Sequence, residues 1–207
     1  MSNLFNPENK AWNFIAKIAD VFCISILWVA CSLPVVTAGA ATAALYRFSL
    51  HLVNDTEDMV FRGFFKAFKA SFKKATLVWL IQAAVGLFLG YDCFLAWHYY
   101  TASGGMGAML VLAVICCAAL IFIMLSLYLY PLLVTFDFGI KKLFRDSMIL
   151  SLGNLWHTVT ILLIWAAAAV GIFYFSGAFF LFVGLAVFFS SYFVRAVFLK
   201  YAEEDEG

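Results

Sequence analysis

Polar residues interrupt this chain rarely, and the apolar stretches between them have the length of membrane crossings. A helix needs about 20 mostly apolar residues to cross the hydrocarbon of a bilayer. The first stretch covers residues 18–33 and ends where Pro34 removes an amide donor and biases Leu33 away from helix. A second, shorter one covers 40–53, with Arg47 and His51 toward its far end. Residues 75–97 form a third, closed by a loop containing Ser103-Gly104-Gly105, and 108–131 a fourth that ends at Pro131. From Trp156 the chain stays apolar for about 44 residues, too long for one crossing. The Ser176-Gly177 interruption divides it into 157–175 and 178–199. The pattern predicts an all-α polytopic membrane helix bundle, a single domain over 1–207 with about six transmembrane helices.

One segment follows a different period. From Val60 to Lys74, Phe61, Phe64, Phe65, Phe68 and Phe72 form a narrow helical stripe, and Arg62, Lys66, Lys69 and Lys73 form a second about a quarter-turn away. This is expected to be an amphipathic interfacial helix leading into the third crossing. Its Phe side chains would enter the acyl boundary while its cations reach the phosphates of an anionic inner leaflet. The same face suits a partner's groove, with the cations fixing the register. A sparse echo follows 83 positions later, where Phe144-Arg145 leads through Trp156 into the fifth crossing; it hints at two three-helix halves.

Charge then orients the bundle. With six crossings all 13 Lys and Arg residues fall on one face: Lys10, Lys17, Arg47, the five from Arg62 to Lys74, Lys141, Lys142, Arg145, Arg195 and Lys200. Translocating basic residues near helix ends is disfavoured, so that face and both termini are expected in the cytoplasm of a bacterial cell membrane. A re-entrant second segment would leave five crossings and strand Lys10 and Lys17 outside. The composition agrees: 66% of residues are hydrophobic, 12% are charged and the mean hydropathy is +1.00, against roughly 25% charged in a soluble domain. The net charge of +1 gives no reason to expect nucleic acid.

The N-terminus reads as a helix start and not as a signal peptide, with Asn6 as cap, Pro7 at the first helical position and Glu8 in the first turn. Leu4, Phe5, Trp12 and Phe14 would press that helix against the bilayer. Chemistry is scarce. The 5 cysteines are odd in number, show no CxxC spacing and read as small buried hydrophobes, and the 3 histidines are scattered in depth. Asn54-Asp55-Thr56 matches a glycosylation sequon on the cytoplasmic side and reads as accidental. With no nucleophile-and-base set, phosphate loop or metal motif, neither an enzyme nor a cofactor is expected.

Polar groups at membrane depth are costly and usually have partners. Asp20 near the inner end of the first crossing and Asp137 just past the fourth are expected to pair with nearby cations. Asp92, near the outer end of the third, has no cation on its side and is the better candidate to meet a solute, proton or cation. Gln82 lies well inside the third crossing, as glue between helices or part of a polar path. Gly86-x-x-x-Gly90 and the small run from Ala38 to Ala44 allow close packing, internal or in a homo-oligomer.

Several of these features occur together in one family. Leu4-Phe5-Asn6-Pro7 with Trp12 and Asp20, the run from Ser32-Leu33-Pro34-Val35-Val36-Thr37 through Gly39, Thr42 and Leu45-Tyr46, and Phe61-Arg62-x-Phe64-Phe65-x-x-Phe68 through Phe72-Lys73-x-Ala75-Thr76 resemble the YesL family of bacterial membrane proteins. Tyr130-Pro131 and Asp137 are similar as well. The resemblance implies a protein typical of Gram-positive bacteria, in a family whose genes often accompany those for carbohydrate ABC importers and polysaccharide breakdown. It carries over no catalytic residue. The expectation is a non-enzymatic accessory protein of carbohydrate uptake, acting with an ABC importer or its sensor kinase through the helix Phe61 to Lys74. The alternative is a small-solute transporter or channel using Gln82, Asp92 and the Pro34 break.

Overall fold

The computed structural model describes the backbone of residues 10–54 and 60–205, and side chains from 14 to 201 within those ranges. The helix start at Asn6-Pro7, the side chain of Trp12, and Asp55 and Thr56 of the sequon lie outside the described residues. Among the described residues seven α-helices follow in order: α1 Lys10–Ser32, α2 Ala38–Val53, α3 Val60–Ser103, α4 Met106–Thr135, α5 Ile140–Gly153, α6 Leu155–Tyr174 and α7 Phe179–Asp205. No strand occurs among the described residues. The architecture is the predicted all-α membrane bundle.

Among the described residues five helical stretches are long and apolar enough to cross a bilayer: Phe14–Ser32, Val60–Ser103, Met106–Thr135, Leu155–Tyr174 and Ser176–Tyr201. The sixth expected crossing, 40–53, is not among them. Its helix α2 has 16 residues, which rise ~24 Å against a hydrocarbon core of ~30 Å. The shortness has a structural reason. α2 is the hub of the bundle, packed against α1, α3, α4 and α7, and 11 of its residues are buried. A helix walled by protein need not match the lipid thickness.

The entry to α2 is tightly built. Leu33 and Pro34 end α1, and a single 3-10 turn, Val35–Thr37, reverses the chain. The Thr37 hydroxyl lies 2.6 Å from the Cys31 carbonyl and 2.7 Å from that of Pro34. Trp28 Nε1 donates to Thr42 Oγ1 at 3.1 Å, which ties α1 to α2. Small residues then let the neighbouring helices approach. A methyl group added at Gly39 would collide with Trp79 and the Ala75 carbonyl.

The contacts of Gly39 also set the register of α3. The start of α2 lies beside Ala75 and Trp79, and its end, at Arg47 and His51, shares a small cavity with Gly63, Lys66, Ala67 and Ala70. α2 therefore runs antiparallel to residues 63–79. The amphipathic segment and the third crossing are one helix of 44 residues, and the part expected to lie on the bilayer is laid along the hub.

Past Val78, α3 buries only Ala96, and α4 buries nothing between Ala108 and Met124. The distal part of α3 and the first part of α4 form a two-helix arm, with Gly86 against the ring of Phe122. Gly90 faces open space, so the Gly86-x-x-x-Gly90 pair does not act as one packing surface within the chain. At ~1.5 Å per residue, the 20 residues from 84 to 103 rise ~30 Å, about the thickness of the hydrocarbon core. The turn at the tip uses Gly104 at φ 59°, a conformation that favours glycine.

The second half departs from the expected repeat of the first. Where α3 runs straight through residue 75, the corresponding chain breaks at Asn154, whose φ −122° and ψ 55° end α5 and begin α6. The Thr158 hydroxyl lies 2.9 Å from the Ser151 carbonyl and 3.0 Å from that of Asn154, and the Tyr128 hydroxyl of α4 lies 3.0 Å from Thr158 Oγ1. This buried set of polar contacts fixes the bend, since unpaired groups there would be costly.

Candidate functional site: the basic and aromatic start of α3

The first turns of α3 carry three faces. Phe64, Ala67, Ser71, Ala75 and Val78 are buried, and Phe64 joins the main core with Ala44, Leu45 and Phe48 of α2. On the helical wheel this buried face is centred ~75° from the middle of the Phe stripe. The stripe is therefore split, and this corrects the expectation that all five rings enter lipid or a partner. Phe64 is fully buried inside the protein and Phe68 is half-buried, whereas Phe61, Phe65 and Phe72 remain 63%, 43% and 36% exposed.

Small side chains made the inward face hard to read. Ala67, Ser71 and Ala75 add little to a hydrophobic stripe, yet they allow α2 to approach closely. The cations lie opposite. Arg62, Lys66, Lys69 and Lys73 are exposed, centred ~190° from the buried face. Phe61, Arg62, Phe65, Lys66 and Lys69 together line an open depression of about 530 Å³. Phe64 meets Phe65 edge to face at 5.7 Å and stacks on Phe68 at 6.3 Å, and Phe68 meets Phe72 edge to face at 5.5 Å, so the exposed rings of Phe65 and Phe72 each rest on a more buried neighbour.

Lys74 turns away from the other cations toward the end of α4. Its Nζ lies 2.7 Å from Asp137 Oδ1, and this hydrogen-bonded ammonium holds the Asp137 carboxyl below its ordinary value. Asp137 thus anchors the α4–α5 loop to α3. The remaining polar candidates stay apart. Asp20, Gln82 and Asp92 are each half-buried, on α1 and on two levels of α3, and the structure brings none of them to another. What the sequence did not single out is Asp146, buried on α5 with the Tyr201 hydroxyl 3.4 Å from its Oδ2. No group of three His, Cys, Asp or Glu residues that could hold a metal occurs among the described residues.

The comparisons with known proteins take in this region. Residues 21–93 match the family described as "Protein of unknown function, DUF624". That stretch takes in most of α1, all of α2, and α3 as far as Cys93. The chain is also similar to the uncharacterised protein YesL of Bacillus subtilis (strain 168), 27% identical over 176 residues that cover 83% of this chain and 79% of that protein. No solved structure matches. The segments that carry the resemblance, from Asp20 through Pro34 and Tyr46 to Ala75, are those that build the hub and seat the basic helix on it, and these similarities support a membrane protein of the YesL family, DUF624.

Proposed function

We propose that this protein is a non-enzymatic accessory protein in the bacterial cell membrane that serves carbohydrate uptake, acting with an ABC importer or its sensor kinase through the outer face of α3. One observation carries the reading. After α2 has covered the inner face of the helix, three phenylalanines and four cations are left pointing outward in a fixed array. Such an array suits an anionic leaflet, and it equally suits an acidic, apolar groove on a partner. The one-sided distribution of cations supports a cytoplasmic position for this face and for both termini. The link to carbohydrate uptake rests on the family's usual gene company.

The test is gentle detergent extraction of the tagged protein from cells growing on a complex plant polysaccharide. Importer subunits or the sensor kinase should accompany the native chain and be lost from K66E/K69E/K73E. Solute flux by the purified protein alone in liposomes would overturn the proposal.

A transporter reading has one observation in its favour. A cavity of about 290 Å³ between α2, α4 and α6 is lined by Thr42, Tyr46, Ser126, Tyr130 and Trp165, with the rings of Tyr46 and Tyr130 parallel at 6.4 Å. It uses neither Gln82 nor Asp92. A path through the protein built on those two side chains therefore has no cavity to follow at this site.

A further inference from the structure

We infer that the junction of α2, α4 and α7 is a binding site for a phosphate ester, held between Arg47 and Arg195. A cavity of about 470 Å³ opens there. Arg47 and His51, one turn apart on α2, form one wall, and Arg195 of α7 faces them. Leu50, Val134 and Phe198 supply an apolar floor. No carboxylate is among the described residues that line the cavity.

Two guanidinium groups around one partly enclosed space repel each other unless something negative lies between them. The plainer account is that these cations answer the negative C-terminal end of α2. It holds for Arg195, whose Nη1 donates to the Val53 carbonyl at 3.1 Å. Arg47 lies six positions before Val53, beyond the last turn, where the effect of the helix dipole has faded. No hydrogen bond or ion pair engages it among the described residues.

Arg195 has four further N–H donors after its bond to Val53, and the forked geometry of guanidinium matches phosphate oxygens. The volume lies within the usual range for small-molecule sites, ~300–1,000 Å³. With the apolar floor, this favours a phosphate carrying an organic group. Two sources share that chemistry: the headgroup of an anionic lipid and a soluble phosphomonoester.

The experiment uses the full chain purified in mild detergent. Glycerol 3-phosphate and inorganic phosphate are titrated calorimetrically, and retention of phosphatidylglycerol against phosphatidylcholine is read by native mass spectrometry from mixed nanodiscs. Saturable binding of glycerol 3-phosphate points to the soluble source. Selective retention of phosphatidylglycerol, without that binding, points to the lipid. In either case R47Q/R195Q should weaken the interaction roughly ten- to hundredfold, as expected for losing charge-assisted hydrogen bonds. If the double variant does not fold, Arg47→Gln alone serves, since it leaves the Arg195 contact with Val53 in place.

Absence of both kinds of binding would overturn the inference, as would binding that R47Q leaves unchanged. Asp55, Glu57 and Asp58 follow this wall in the sequence. Binding that appears only in D55N/E57Q/D58N would show that the chain's own acids occupy the site, which also overturns it.

Discussion

Gly39 has no side chain because no side chain fits between α2 and the Trp79 turn of α3. Ala75 presents backbone there, which cannot move aside as the end of a flexible side chain could. Gly39→Ala should therefore destabilise the protein by about 1–3 kcal/mol, the usual cost of overpacking a filled interface. Gly90→Ala, with nothing within 4 Å of an added methyl, should stay within ~0.5 kcal/mol of the native chain. Thermal unfolding of both variants in the same detergent checks the pair. Equal losses would mean that α2 and α3 do not meet at Gly39. At this scale the sequence showed which residues are small and which are charged. It did not show that Phe64 turns inward while Phe65 turns out, or that Arg47 and Arg195, 148 positions apart, share one cavity. Those facts follow from how helices are placed beside each other, and a single helix's periodicity holds no record of its neighbours.

Among the elements, the long helices were legible because length and hydropathy are local properties, and Pro34, Gly104 and Gly177 mark real turns. The join at residue 75 and the break at Asn154 are harder to read, since both segments pass from amphipathic to apolar without a proline. The join is open to measurement. In the continuous helix α3, residues 66 and 92 are separated by a rise of ~39 Å. If residues 60–74 lay flat on the bilayer and the chain turned at 75, the distance would fall to ~29 Å by the same rise taken around a right angle. Pulsed electron resonance between spin labels at 66 and 92 should return the longer distance; the shorter one would restore the flat interfacial helix.

For the whole molecule, the bundle centred on α2 and the arm of α3 and α4 have different surroundings. The bundle buries polar contacts such as Tyr128–Thr158 and the serines of α7, whereas the arm exposes Leu87, Phe88, Phe94 and Leu110 almost without interruption. Lipid is the natural solvent for such an arm. If it crosses outward from a basic cytoplasmic face, its tip must be outside. A single cysteine at Gly104, in a chain freed of its native cysteines, should react with a membrane-impermeant reagent added to intact cells; labelling only after the cells are opened would invert the topology.

On the proposed reading, the protein works by what its basic helix holds, and not by what passes through it. Growth on the relevant polysaccharide, with membrane levels of each variant matched, tests this most directly. Asp92→Asn removes the one acid expected on the side without cations and should leave growth nearly unchanged, while K66E/K69E/K73E reverses the charge of the exposed face and should abolish the growth advantage. The opposite pattern, with Asp92→Asn failing and the triple variant growing normally, would contradict the account and make the protein a transporter.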